Sequence, residues 1–136
     1  MLRQIKRLFT HEATISGQRQ VDEEDDGFGG TQPVYAEVSM TVEGRYESDG
    51  RRLTRQFFGE DTDDDPAFIA AGSGLGSWDD TPEGYEPDDS LPWVIREDDT
   101  VEFAHLSGTY EIREIEPLML DSPEPEFVVF NPMEVE

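Results

Sequence analysis

The stretch Val34–Glu47, VYAEVSMTVEGRYE, decides how this chain folds. One alternating set, Val34, Ala36, Val38, Met40, Val42, Gly44 and Tyr46, is apolar or small. The other, Tyr35, Glu37, Ser39, Thr41, Glu43, Arg45 and Glu47, is polar apart from Tyr35. Side chains on a strand point to opposite faces with period two, so the stretch reads as one strand with a core face and a wet face. It is longer than an ordinary strand of about five or six residues. A strand of this length serves two regions of a sheet, and a bulge or bend costs least at Gly44. A small barrel or strongly twisted sheet is the natural container.

Working outward, the chain of 136 residues is the size of one domain and can bury a real core. It carries 33 acidic against 10 basic residues, a net charge of −23, and Lys6 is its one lysine. Such a charge repels itself in dilute buffer. In molar salt the screening length shrinks to about 3 Å, and the charge becomes tolerable. Acidic, lysine-poor and still patterned in its apolar positions, this is the composition of proteins from a salt-saturated cytoplasm. The charge is uneven: residues 1–60 carry a net −3 and residues 61–136 a net −20. A general nucleic-acid-binding face is therefore excluded, and any basic contact must be local to the first half. The chain has no cysteine, so disulfides, thiol nucleophiles and cysteine metal sites are excluded. No apolar run approaches the roughly 20 residues of a membrane span, and the apolar part of MLRQIKRLFT is too short for a signal peptide. A soluble protein of the cytosol, or of a particle assembled there, is expected.

Leu2, Ile5, Leu8 and Phe9 recur at helical spacing and predict a short N-terminal helical turn that docks on the domain or on a neighbour. His11–Ser16 reads as a first strand, residues 17–33 as a polar loop with the run DEEDDGFGG, and Val34–Glu47 as its antiparallel partner. After the turn at Asp49-Gly50 come Arg51, Arg52 and Arg55, the densest basic cluster, and then Phe57 and Phe58. Residues 60–92 hold eight aspartates, four prolines and four glycines and read as an insertion, with one helical turn at Pro66–Ala71. Its Phe68, Ile69 and Trp78 are too apolar for a linker and suggest contacts to an adjacent subunit. Further strands are predicted at Trp93–Arg96, Thr100–His105, Thr109–Glu116 with a bulge before Ile115, and Glu126–Asn131. The sum is an all-β chain: a small antiparallel β-barrel of about six strands, one domain over 1–136, with an insertion at about 48–92.

No motif points to catalysis. The run Asp61–Asp65 begins like a calcium loop but has Pro66 at the sixth position and Gly72 at the twelfth, where glycine and glutamate are needed. Gly72–Gly76 follows no predicted strand and has no lysine nearby, so it is a poor phosphate loop. His11 and His105 are isolated in sequence and fit neither a metal nor a triad pattern. Carboxylates are too numerous for any pair to be singled out. Neither an enzyme, a cofactor nor a metal site is expected.

The layout of these elements resembles the head-closure, or stopper, proteins of tailed phages, also called head–tail joining proteins. The resemblance is carried by HEATI, by the loop DDGFGG with Asp26, Gly29 and Gly30, by Tyr35 and Val38 in the following strand, and by SGTYEIREIE with Gly108, Tyr110, Ile112 and Ile115. It covers about residues 8–47 and 98–130, and the composition adds a haloarchaeal host for the virus. It implies a small barrel that joins others in a six- or twelve-fold ring in the neck of the virion. A portal or adaptor ring would lie on the head side, and a tail terminator or tail tube on the other. It also implies a long loop after the second strand that projects into the lumen and blocks the DNA. Arg51, Arg52 and Arg55 are then expected at the lumen or against the DNA end. Leu2, Ile5, Phe9, Phe57, Phe58, Phe68, Ile69 and Trp78 are expected at subunit or ring contacts. A tail-completion or minor tail protein, and a host ligand-binding barrel with residues 60–92 as a lid, are the alternative readings.

Overall fold

The computed structural model describes residues 8–48, 66–86, 91–118 and 127–135. Its six strands are β1 (His11–Asp25), β2 (Thr31–Glu47), β3 (Ala67–Ala71), β4 (Thr100–Phe103), β5 (Thr109–Leu118) and β6 (Phe127–Val135). All neighbours are antiparallel, and the sheet closes on itself in the order β1-β2-β3-β6-β5-β4. The all-β closed sheet expected from the alternation is the observed architecture.

β2 is its longest strand. Residues Thr31 to Gly44 pair with β1, and Gly44 to Glu47 pair with β3 on the other side. The handover falls on Gly44, whose partners are His11 and Ala70. Pairing runs through Gly44 without a shift of register, so no bulge lies there. Glycine is needed for another reason: a Cβ at this position would collide with the Ile69 carbonyl oxygen and the Phe68 ring. The bulge lies across the hairpin, between Gln20 and Asp22 of β1.

The inward set of β2 supplies Val38, Met40 and Val42 to the core, and Ser39, Thr41 and Glu43 face out, as alternation dictates. Ala13 and Ile15, Val101 and Phe103, Tyr110 and Ile112, Phe68 and Ala70, and Val128 and Phe130 complete the interior. Phe68 lies 5.4 Å from both Phe103 and Phe130, and Phe103 lies 5.3 Å from Tyr110. Tilted or edge contacts of this kind add about 0.5–1.5 kcal/mol per pair beyond area burial. Leu75, Trp78 and Ile95 close over this core. The phase shift read before Ile115 is a true bulge between Arg113 and Glu116, with Glu114 at φ 52°.

Three local expectations are corrected. Residues 67–71 form β3, a strand of the closed sheet, and not a helical turn in an insertion. A 3-10 turn follows at Gly72–Leu75. Ala67, Phe68, Ile69 and Ala70 are all buried, because this strand is covered on both faces. Residues 93–96 are not a strand: the Val94 N–H donates to the Leu75 carbonyl at 2.9 Å, outside any ladder. Residues 17–25 and 31–33 are not loop but the outer parts of β1 and β2, leaving a connection of only Asp26–Gly30. The predicted N-terminal helical turn falls mainly on residues 1–7, outside the described residues.

Candidate functional site

The two ends of the β1–β2 hairpin behave differently. Up to about Ser16 it belongs to the closed sheet, where β1 also pairs with β4. Beyond that point β1 keeps β2 as its strand partner and becomes a two-stranded arm. From Asp22 through Pro33 every residue is exposed except the half-buried Asp26. Four cross-strand pairs, Asp22↔Val34 to Asp25↔Thr31, carry the arm about 13 Å outward at the usual strand rise.

The root of the arm is held by a buried ion pair. On β1 the inward positions run Ala13, Ile15, Gly17, Arg19, so the alternation delivers a guanidinium where a core residue would stand. Arg19 Nη1 donates to Asp99 Oδ1 at 2.8 Å, and Nη2 donates to Oδ2 at 2.6 Å. Both side chains are nearly inaccessible, at 3% and 5% exposure. Arg19 also donates to the Val94 carbonyl at 3.2 Å, and its guanidinium carbon lies 5.1 Å from the centre of the Trp78 ring. Asp99 Oδ2 accepts the Arg96 N–H at 2.8 Å. Its own backbone joins the sheet, since the Ile112 N–H donates to the Asp99 carbonyl at 2.9 Å. Gly17 leaves space for this pair: a Cβ there would collide with the Asp99 carboxylate and come within 2.8 Å of Arg19 Nη1. Burial works against the charge on Arg19. The paired Asp99, with help from the Tyr85 phenol, more than restores it and raises the pKa above the ordinary arginine value. Gly84, at φ 88°, packs so close to the Val21 carbonyl that any side chain would collide with it, which braces the bulge at the base of the arm.

The tip is built as carefully as the root. Asp26 Oδ1 accepts the N–H of Phe28 at 2.7 Å and of Gly30 at 3.1 Å, and Asp25 Oδ1 accepts the Gly27 N–H at 2.8 Å. Gly27 and Gly29 adopt φ of 84° and 88°, which residues with a Cβ avoid. Between them stands Phe28, 94% exposed. Burying a phenylalanine ring is worth about 2 kcal/mol, and none of the described residues takes up that gain. Asp22, Glu23, Glu24 and Asp25 surround the approach, and Gln32 donates to Glu24 Oε1 across the strands at 2.8 Å.

The two histidines, isolated in sequence, meet at the opposite end of the hairpin. Their rings stack at 4.2 Å with 21° between planes. His11 Nδ1 accepts the Tyr46 N–H at 3.0 Å, so that nitrogen carries no proton. Burial first, then His105 and Arg45, lowers the His11 pKa below the ordinary 6.5. Among the described residues no group of three or more histidine or carboxylate side chains could hold a metal ion, and no helix is long and apolar enough to cross a membrane.

The lumen and contact residues expected from the sequence divide into two groups. Leu2, Ile5, Arg51, Arg52, Arg55, Phe57 and Phe58 lie outside the described residues, as does the run Asp61–Asp65. Phe68, Ile69 and Trp78 were expected at a subunit boundary, but they are 0%, 2% and 5% exposed and serve this chain's own interior. Phe9 docks on its own sheet, edge-on to Phe127 at 5.7 Å. The arm's root was missed in the sequence. Its signal was parity, since Arg19 continues the inward series of β1. Comparison with protein-family models, with curated proteins and with solved structures gives no match.

Proposed function

We propose that the chain is a structural protein of the neck of a tailed virus infecting a halophilic archaeon, the head-closure component that forms a ring between the head and the tail. One observation carries the reading. The inside of the closed sheet is filled by side chains such as Phe68, Phe103 and Phe130, so the molecule acts through what leaves the sheet. Two segments matter to it: the β1–β2 arm, which leaves the sheet, and the connection between Glu47 and Ala67, most of which lies outside the described residues. The second occupies the position in chain order of the channel-blocking loop of the stopper proteins, and it contains Arg51, Arg52 and Arg55. These arginines are proposed to face the lumen and the end of the packaged DNA. The acidic remainder of the wall would repel phosphate and let DNA pass without sticking. A carrier barrel would need a cavity lined by convergent polar groups, and the packed interior gives that reading no support.

Electron microscopy of lysates from a virus lacking this gene tests the proposal. Separate tails beside heads that have lost their DNA are the expected result. Filled heads with defective tails would move the protein into the tail. Intact, infectious particles would overturn a connector role altogether.

A further inference from the structure

The arm is a long hairpin that contributes nothing to the core beyond its bulge, yet both of its ends are fixed. The Arg19–Asp99 pair and the close packing of Gly84 on Val21 set its direction. The Asp26 carboxylate and two glycines with positive φ set the shape of its tip. The one large apolar side chain on that tip, Phe28, is 94% exposed. A rigid aromatic held out of a polar surface loses little freedom on docking, which is the property of an interface anchor.

The surroundings of Phe28 select the occupant. Asp22, Glu23, Glu24 and Asp25 are all exposed along the same approach. A partner that takes the ring therefore meets carboxylates on whichever face of the arm it covers, Asp22 and Glu24 on one and Glu23 and Asp25 on the other, and in molar salt it must meet them by direct pairing, because screening removes longer-range attraction. A second copy of this chain is a poor fit. Its net charge is −23, Arg19 and Arg113 are already held by Asp99 and by Asp98 and Glu111, and on the reading proposed above its Arg51, Arg52 and Arg55 face the lumen. We propose that the β1–β2 arm is a docking finger that seats Phe28 in an apolar pocket of a different protein, with arginine or lysine side chains at the rim pairing with Asp22, Glu23, Glu24 and Asp25.

The absence of cysteine makes the test direct. Phe28→Cys gives the chain a single thiol, which is coupled to a benzophenone and irradiated in molar-salt extract from the cells or particles in which the chain is naturally made. The crosslinked peptide is identified by mass spectrometry, and the partner is then expressed for affinity measurements. The expected crosslink falls in an apolar pocket with arginine or lysine beside it on a different protein. Phe28→Ala is expected to weaken that complex about 30-fold or more, the effect of losing an interface anchor. Glu23→Gln, Glu24→Gln and Asp25→Asn together are expected to weaken it about tenfold. Both variants should keep the parent melting temperature, since all four side chains are exposed and an amide oxygen at position 25 still accepts the Gly27 N–H. A crosslink only to a second copy, a crosslink to a site without basic residues, no crosslink at all, or full affinity in Phe28→Ala would each overturn the proposal. The partner's identity bears separately on the neck reading: a partner from outside a virion would sink that reading and leave the docking finger standing.

Discussion

Replacing Asp99 by asparagine removes one charge from a pair that water does not reach. The carboxylate accepts two hydrogen bonds from Arg19 and one from the Arg96 N–H, and the two side chains are 3% and 5% exposed. Asparagine turns an amide N–H₂ toward at least one of these donors and leaves the Arg19 charge buried without its partner. Breaking a buried pair from one side costs about 3–5 kcal/mol. With an unfolding entropy of about 2.1 cal/mol/K per residue, each kcal/mol lowers the midpoint of this 136-residue chain by about 3.5 °C. The expected fall is therefore about 10–17 °C, read as a thermal melt by circular dichroism. Burial also predicts the salt response. An exposed pair weakens on screening, whereas this loss should be the same at about 1 M and about 3 M KCl. Adding Arg19→Met to Asp99→Asn should recover part of the loss, because no unpaired charge then remains inside. A shift below about 3 °C, or one that vanishes between the two salt concentrations, would refute the claim that this pair fixes the arm to the sheet.

Gly44→Ala should destabilise by about 1–3 kcal/mol or more, since its methyl would collide with the backbone of β3, and chemical denaturation measures it. Phe68→Ala should cost about 3–5 kcal/mol by the same assay, because the ring is fully buried among three strands and has no route to solvent. The lowered pKa of His11 has a definite sign: the unfolded chain takes up the proton first as the pH drops. Its contribution is complete above pH 6.5 and is lost progressively as the pH falls from there toward the lowered folded-state value. The stability of His11→Gln, followed by denaturation between about pH 7 and the acid side of that window, should fall less steeply than that of the parent; equal slopes would remove His11 as the cause.

How much of this was legible in the sequence depended on whether a strand has one dry face. β2 from Val38 onward, β4 and β5 each bury one side, and their alternation was readable to within a residue or two. β3 buries both sides, so AFIAA shows no period and was read as part of an insertion. Beyond Arg19 the outer part of β1 buries neither, so QVDEED carries no period either and was read as loop. The arm was therefore hidden, although its tip was visible as a glycine-rich turn. The ion pair at its root joins residues 80 positions apart, and no local pattern announces such a pairing. The two histidines meet for the same reason: the register of β1 against β4, not their spacing, brings them together.

The seam that closes the sheet sets the order in which the molecule assembles. β1 and β2 are joined by a five-residue turn and zip together locally, whereas β1 meets β4 only after more than half of the chain has been placed. That last junction is short, with four residue pairs from Ala13↔Phe103 to Ser16↔Thr100. Non-local pairing has to overcome chain entropy before it is rewarded, so closure is the slow, late step of folding. β4 is held by those four pairs and by only two to β5, so amide protons along β4 should exchange with solvent well before those in the paired core of β1 and β2. A hairpin that folds early and a seam that shuts last would let a nascent chain present its arm before its barrel is finished.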